Sequence, residues 1–235
     1  MSPAKKYIAE CLGTFALVFI GTAVAVLQQK GLILDDGWGA AGLLAISFAF
    51  GGTLMVLVWT IGPVSGCHIN PAVTIPMAMS GRMPWTDVPG YIIAQIVGAI
   101  AASGLLVALL NGLPNYDLAI HGLGANGNPM AMHEGALFGW EVVLTALFLF
   151  VIFTATRDGG MEGFDGIGIG GFLFLAHLIG AQLGDSSLNP ARSLGPALII
   201  GGESLKLVWV FCAAPVVGGI VGWQLHRLLY SGGKS

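Results

Sequence analysis

Two short stretches of this chain hold side chains suited to gripping a small polar molecule rather than to breaking a bond. Asn70-Pro71-Ala72 follows Gly66-Cys67-His68-Ile69, and Asn189-Pro190-Ala191-Arg192 follows Ser186-Ser187-Leu188. An Asn before a Pro starts a helix: the Asn caps it, and the Pro takes the first helical position, where its missing N–H costs nothing. Each Asn also offers an NH₂ group as donor, and each helix start brings a positive dipole end toward the same spot. A water held there gives its oxygen to the two Asn and must aim its hydrogens outward. That breaks a proton wire, and the positive potential repels cations.

Four ionisable residues lie in apolar runs nearby. Arg192 is a charge within an apolar helix beside a positive dipole end, unfavourable on both counts, and intramembrane charge by default faces a cavity. His177 sits among Leu, Ile, Phe and Gly, where a histidine on its own usually reads as a satisfied core residue. Glu10 and Glu141 occupy matching points of the two halves of the chain. A proton relay through them has no second ionisable residue within a turn of either.

The elements that position these residues stop halfway. From Asn70 an apolar run ends at Gly81, and from Asn189 another ends at Gly201-Gly202. At 1.5 Å per residue each helix is about 15 Å long, half of a hydrocarbon core of about 30 Å. Two half-spanning helices in matching places point to a site at the membrane midplane. Irregular backbone at that depth is tolerated only if it is buried in protein or faces water. Gly66, Cys67, His68 and Ile69, and likewise Ser186, Ser187 and Leu188, are therefore expected to turn carbonyls toward a water-filled path.

Composition places the rest of the chain in a bilayer. Of 235 residues, 55% are hydrophobic and 9% charged, and the mean hydropathy is +0.84; soluble domains carry about 25% charge. Apolar spans are expected at about 7–29, 38–61, 88–110, 136–156, 166–183 and 206–230. Residues 64–69 hold too many turn formers for helix, residues 203–204 read as a short connection, and residues 111–134 form the longest loop. Within it, Asn128-Pro129-Met130 precedes no apolar helix and reads as a turn. Lys5-Lys6, an apolar run and Ala23-Val24-Ala25 have the layout of a cleaved leader. Glu10 interrupts that run, as Glu141 does in span four, so span one is expected to be retained. A net charge of -3 with no basic cluster beyond Lys5-Lys6 excludes nucleic-acid binding. Cys11, Cys67 and Cys212, an odd count at wide spacing, make neither a disulfide framework nor a zinc site.

The halves repeat. Asn70 and Asn189 are 119 apart, and Ala94-Gln95-Ile96-Val97-Gly98 matches Ala214-Pro215-Val216-Val217-Gly218 at a spacing of 120. Three spans per half is an odd number, so the second copy (136–235) lies inverted relative to the first (1–112). With both termini on one side, that side holds Lys5, Lys6, Arg82, Arg157, Arg227 and Lys234, against Lys30 and Lys206 on the other. Both termini are thus expected to be cytoplasmic. Trp38, Trp85, Trp140 and Trp209 fall near span starts, as interfacial anchors do. The glycines of 166–171 and 218–222 suit close helix packing.

Two Asn-Pro-Ala triplets among six apolar spans, with Arg after the second, resemble the aquaporin (major intrinsic protein) family across nearly the whole chain. The resemblance implies one channel domain over 1–235, an all-α membrane protein of six transmembrane helices plus two half-spanning re-entrant helices in an inverted repeat. It implies a homotetramer in the plasma or inner membrane, with water as permeant and no cofactor. It assigns the narrowest constriction to Phe50, His177, Ser186 and Arg192; the choice of Phe50 over Phe48 comes from the family pattern alone. It gives Glu10 and Glu141 the task of bracing the re-entrant loops. Ser193 after Arg192 resembles the water-selective branch, whereas glycerol facilitators carry Asn-Pro-Ala-Arg-Asp and, where His177 stands, a second aromatic and a small residue. Phe211-Cys212 departs from the aromatic-Trp pair frequent in similar water channels, which bears on minor solutes. The expected function is a passive water-selective channel, not an enzyme, excluding protons and ions. The competing readings are a broader channel for glycerol, ammonia or hydrogen peroxide, an intramembrane protease built on Gly184-Asp185 without a second membrane Asp, and a structural junction protein.

Overall fold

Among the residues that the computed structural model describes (1–28, 32, 39–184 and 186–230), every regular element is helical. The helices are α1 (Pro3–Leu27), α2 (Ala40–Ser65), α3 (Pro71–Met79), α4 (Val88–Leu110), α5 (Leu118–His121), α6 (Glu134–Ala155), α7 (Asp165–Gly184), α8 (Pro190–Ile200) and α9 (Gly202–Tyr230), with a 3₁₀ turn at Trp85–Asp87 before α4. Six of them are long and apolar enough to cross a membrane, at mean hydropathies from 1.6 to 2.3. The two half-helices are α3, of 9 residues, and α8, of 11. Lys30, Asp35, Asp36, Trp38, Asp185 and Lys234 lie outside the described residues.

Three boundaries differ from the sequence reading by about one turn, the first being the start of α1, which lies at Pro3. Val64 and Ser65 continue α2 beyond Pro63, and the helix stops at Gly66, whose φ of +87° a glycine adopts freely. A proline one turn from a helix end removes one hydrogen bond without ending the helix there. Glu203 and Ser204 are no connection but the first turn of α9. Gly201 (φ +70°) and Gly202 (φ +56°) reverse the chain between α8 and α9 without a longer loop. Asn128 does form a turn: its side chain accepts from Met132 N at 2.9 Å and donates to Met132 O at 2.7 Å.

The same pairings recur in both halves. α1 packs on α2 and α4, as α6 packs on α7 and α9, and α2 crosses α7. Each half-helix sits against α4 and α9. Small residues let these helices touch backbone to backbone; a Cβ at Gly51 would stand 2.6 Å from Gly170 O. Large apolar side chains such as Ile93, Leu109 and Leu175 point outward, the inverse of a soluble protein. Phe48 is 66% exposed and Phe50 1%, so α2 turns only the second inward.

Candidate functional site

The N-termini of α3 and α8 meet, and the two asparagines join them. Both have extended backbone, with φ of -162° at Asn70 and -150° at Asn189. Each Oδ1 caps its own helix, accepting from Ala72 N at 2.8 Å and from Ala191 N at 3.0 Å respectively. Each Nδ2 then donates across the junction. Asn70 reaches Leu188 O at 2.7 Å, and Asn189 reaches Ile69 O at 2.9 Å. An amide nitrogen carries two hydrogens, so this crossed pair leaves one N–H on each Asn for a third molecule. Pro71, Ala72, Pro190 and Ala191 are buried in the first turns behind them.

The backbone ahead of each Asn is locally strained. Cys67 (φ +52°) and Ile69 (φ +44°) are left-handed non-glycine residues, and so are Ser186 (φ +31°) and Leu188 (φ +51°). Such conformations cost on the order of 1 kcal/mol each and persist only when surroundings fix them. Two buried carboxylates do the fixing. Glu10 accepts from Ser65 Oγ (2.7 Å), His68 N (2.9 Å), Ile69 N and Gln95 Nε2 (2.7 Å). Glu141 accepts from Ser187 N at 2.7 Å and Leu188 N at 2.9 Å. Tyr91 secures the first loop further, its hydroxyl donating to Ser65 O at 2.7 Å.

A cavity of about 490 Å³ runs past this junction. One end is bounded by Phe50, His177 and Arg192, the other by Arg82, Thr156 and Asp165, on the side of the start of α1 and the end of α9. Both asparagines line it, together with Gly66, Cys67, His68, Ile69, Ser187 and Leu188. At the first end Phe50 and His177 stack with ring centroids 4.5 Å apart. The Arg192 guanidinium carbon lies 4.8 Å from the Phe50 centroid, within cation–π range. His177 Nδ1 pairs with Leu173 O at 2.9 Å, which fixes the ring on α7. His177 Nε2 and Ser186 Oγ are buried and have no hydrogen-bond partner among the described residues. Ser186 packs against Gly180, where a Cβ would overlap it, and is not among the cavity-lining residues.

Sequence reasoning missed what holds Arg192. Its Nη1 donates to Gly124 O at 2.9 Å and Asn126 Oδ1 at 2.7 Å, both in the long connection between α4 and α6. It also missed the opposite mouth, where Arg82 Nη1 donates to Thr156 Oγ1 at 2.9 Å and its guanidinium covers Phe153. Charges flanking spans on the terminal side were the available signal for Arg82 and Asp165.

Residues 1–226 match the family model described as major intrinsic protein. The chain belongs to the major intrinsic protein family. Among its relatives are proteins named Aquaporin Z. The one from Rhodopseudomonas palustris is 41% identical over 96% of this chain and 93% of its own length. The one from Bradyrhizobium diazoefficiens is 40% identical over the same shares. An X-ray structure of the aquaglyceroporin from Plasmodium falciparum superposes with a TM-score of 0.82 over 98% of both chains at 21% identity, a likeness of fold. As a member of this family the chain is a membrane channel of the water and small-solute class, and not an enzyme.

Proposed function

We propose that this channel passes water and excludes glycerol, protons and ions. The observation that carries the reading is the group at one end of the cavity: two stacked rings 4.5 Å apart and a guanidinium 4.8 Å from one of them. Between them they supply bulk, an apolar wall and polar groups. A water can trade its bulk hydrogen bonds for those of Arg192 and His177 Nε2. A glycerol needs more width and a longer apolar surface. The Aquaporin Z relatives support water as the permeant.

In this reading Phe50, His177 and Arg192 form the selectivity filter with their side chains and Ser186 joins it through its backbone carbonyl, and the free N–H groups of Asn70 and Asn189 take the oxygen of a passing water. That water then cannot relay a proton along the file, and the dipole ends of α3 and α8 with the Arg192 charge oppose cations. Backbone carbonyls of 66–69 and 186–188 act as rungs on either side. Glu10 and Glu141 hold those rungs in place. Both termini face the cytoplasm, following the lysine and arginine bias, and the protein works as a homotetramer in the plasma membrane. The test is water flux beside proton and potassium flux in vesicles carrying the purified protein. Fast water flux with proton and potassium flux at the level of empty vesicles supports the reading; ion flux that rises with water flux overturns it.

A further inference from the structure

Ser193, the residue after Arg192, is 1% exposed and does not line the cavity. Its hydroxyl stands between two other polar groups. Ser193 Oγ lies 2.7 Å from Asn126 Oδ1 and in short contact with Ser187 Oγ. The same Asn126 oxygen accepts from Arg192 Nη1 at 2.7 Å. The order of protons along this chain follows from chemistry. Arginine can only donate, so the Asn126 atom facing it is the oxygen whichever way the amide is drawn. That oxygen carries no proton, so Ser193 donates to it. Ser193 then has no proton left for Ser187, and two hydroxyl oxygens in close contact need one between them. Ser187 therefore donates to Ser193. The weaker alternatives, Asn189 O at 3.0 Å from Ser187 Oγ and 3.3 Å from Ser193 Oγ, leave that close pair unbridged.

The result is a one-way chain from Ser187 through Ser193 to Asn126, ending on the acceptor that holds Arg192. Bonds aligned in this way polarise one another. The first member is itself held, since Ser187 N donates to Glu141 Oε1 at 2.7 Å. We propose that Ser193 is a positioning residue for Arg192: by donating to Asn126 it fixes the amide that fixes the guanidinium. The assignment rests on the water-selective reading above, in which the Arg192 charge is a barrier at that end of the cavity. Without the Ser193 hydroxyl, the Asn126 oxygen loses the donor that orients it toward Arg192, and its hold on the guanidinium weakens. One of the acceptors of Arg192 is then less firmly set, and the guanidinium shifts within the cavity that it lines. A carboxylate at this position would act against the chain differently, by setting two acceptors face to face. Asn126 would turn its NH₂ toward it and withdraw its oxygen from Arg192.

The test compares proton flux with water flux in the same vesicles for wild type, Ser193→Ala, Ser193→Thr and Asn126→Ala. The ratio of the two is the readout. A merely structural Ser193 would lower the number of working channels and cut both fluxes together, leaving the ratio alone. The assignment expects the ratio to rise about fivefold in Ser193→Ala and in Asn126→Ala, the population change that loss of one buried hydrogen bond allows. Ser193→Thr, which keeps the hydroxyl, should return it to the wild-type value. An unchanged ratio in Ser193→Ala, or a raised one that Ser193→Thr does not restore, overturns the assignment. If Ser193→Ala does not fold, Asn126→Ala decides in the same way. A wild type that already leaks protons overturns the water-selective reading itself, and the assignment with it.

Discussion

At the scale of the residue, the cavity is defined by a few side chains whose neighbours leave them little freedom. His177 is one: its Nδ1 is taken by Leu173 O and its face by Phe50. His177→Gly removes that bulk while Phe50 and Arg192 remain. Glycerol permeability should then rise about tenfold over wild type, which needs only ~1.4 kcal/mol off the barrier. Stopped-flow light scattering under a glycerol gradient reads it, and a folded, water-conducting variant that still excludes glycerol contradicts the filter assignment. Cys67 is another, because it lines the cavity whereas Cys11 and Cys212 do not. Mercuric ion should slow water flux, reducing agent should restore it, and Cys67→Ser should abolish the block. A block that persists in Cys67→Ser would point to one of the other two thiols. The asparagines, Arg192 and the glutamates were legible in the sequence because a helix cap and a charge in an apolar run are local signals. Gly124 and Asn126 were not. They lie 68 and 66 residues before Arg192, in a loop with no periodicity, and only the fold brings them there.

At the scale of the element, two half-helices are held end to end by loops that are strained on their own. The bracing carboxylates are the test of that arrangement. Glu10→Gln keeps the shape but turns one acceptor into a donor facing either Ile69 N and Gln95 Nε2 or His68 N and Ser65 Oγ. Hydrogen bonds to charged groups are worth about 1.5–3 kcal/mol, so the loss should be on the order of 3 kcal/mol. In a chain of this size that lowers the melting temperature by roughly 6–12 °C. Thermal unfolding in detergent measures it, and an unchanged midpoint would mean that the left-handed backbone of Cys67 and Ile69 is held by something else. The spans themselves were legible from apolar length alone. Their ends were less so, because glycine and proline near a terminus permit either a stop or one more turn. Pro63 did not stop α2, and Gly201-Gly202 let α9 begin at once.

At the scale of the whole molecule, the repeated pairings of α1 with α4 and of α6 with α9 frame one continuous cavity. Its lining reaches from Arg82 and Asp165 to the cluster of Phe50, His177 and Arg192. On the reading proposed above the path discriminates at that cluster, so the protein as a whole should pass one permeant and refuse the next larger one. Paired permeabilities in vesicles of one lipid composition, under an impermeant osmolyte and then under glycerol, test this most directly. Water permeability should lie well above that of empty vesicles, and glycerol permeability should equal theirs. Glycerol permeability that rises with the amount of protein, in step with water, would contradict it.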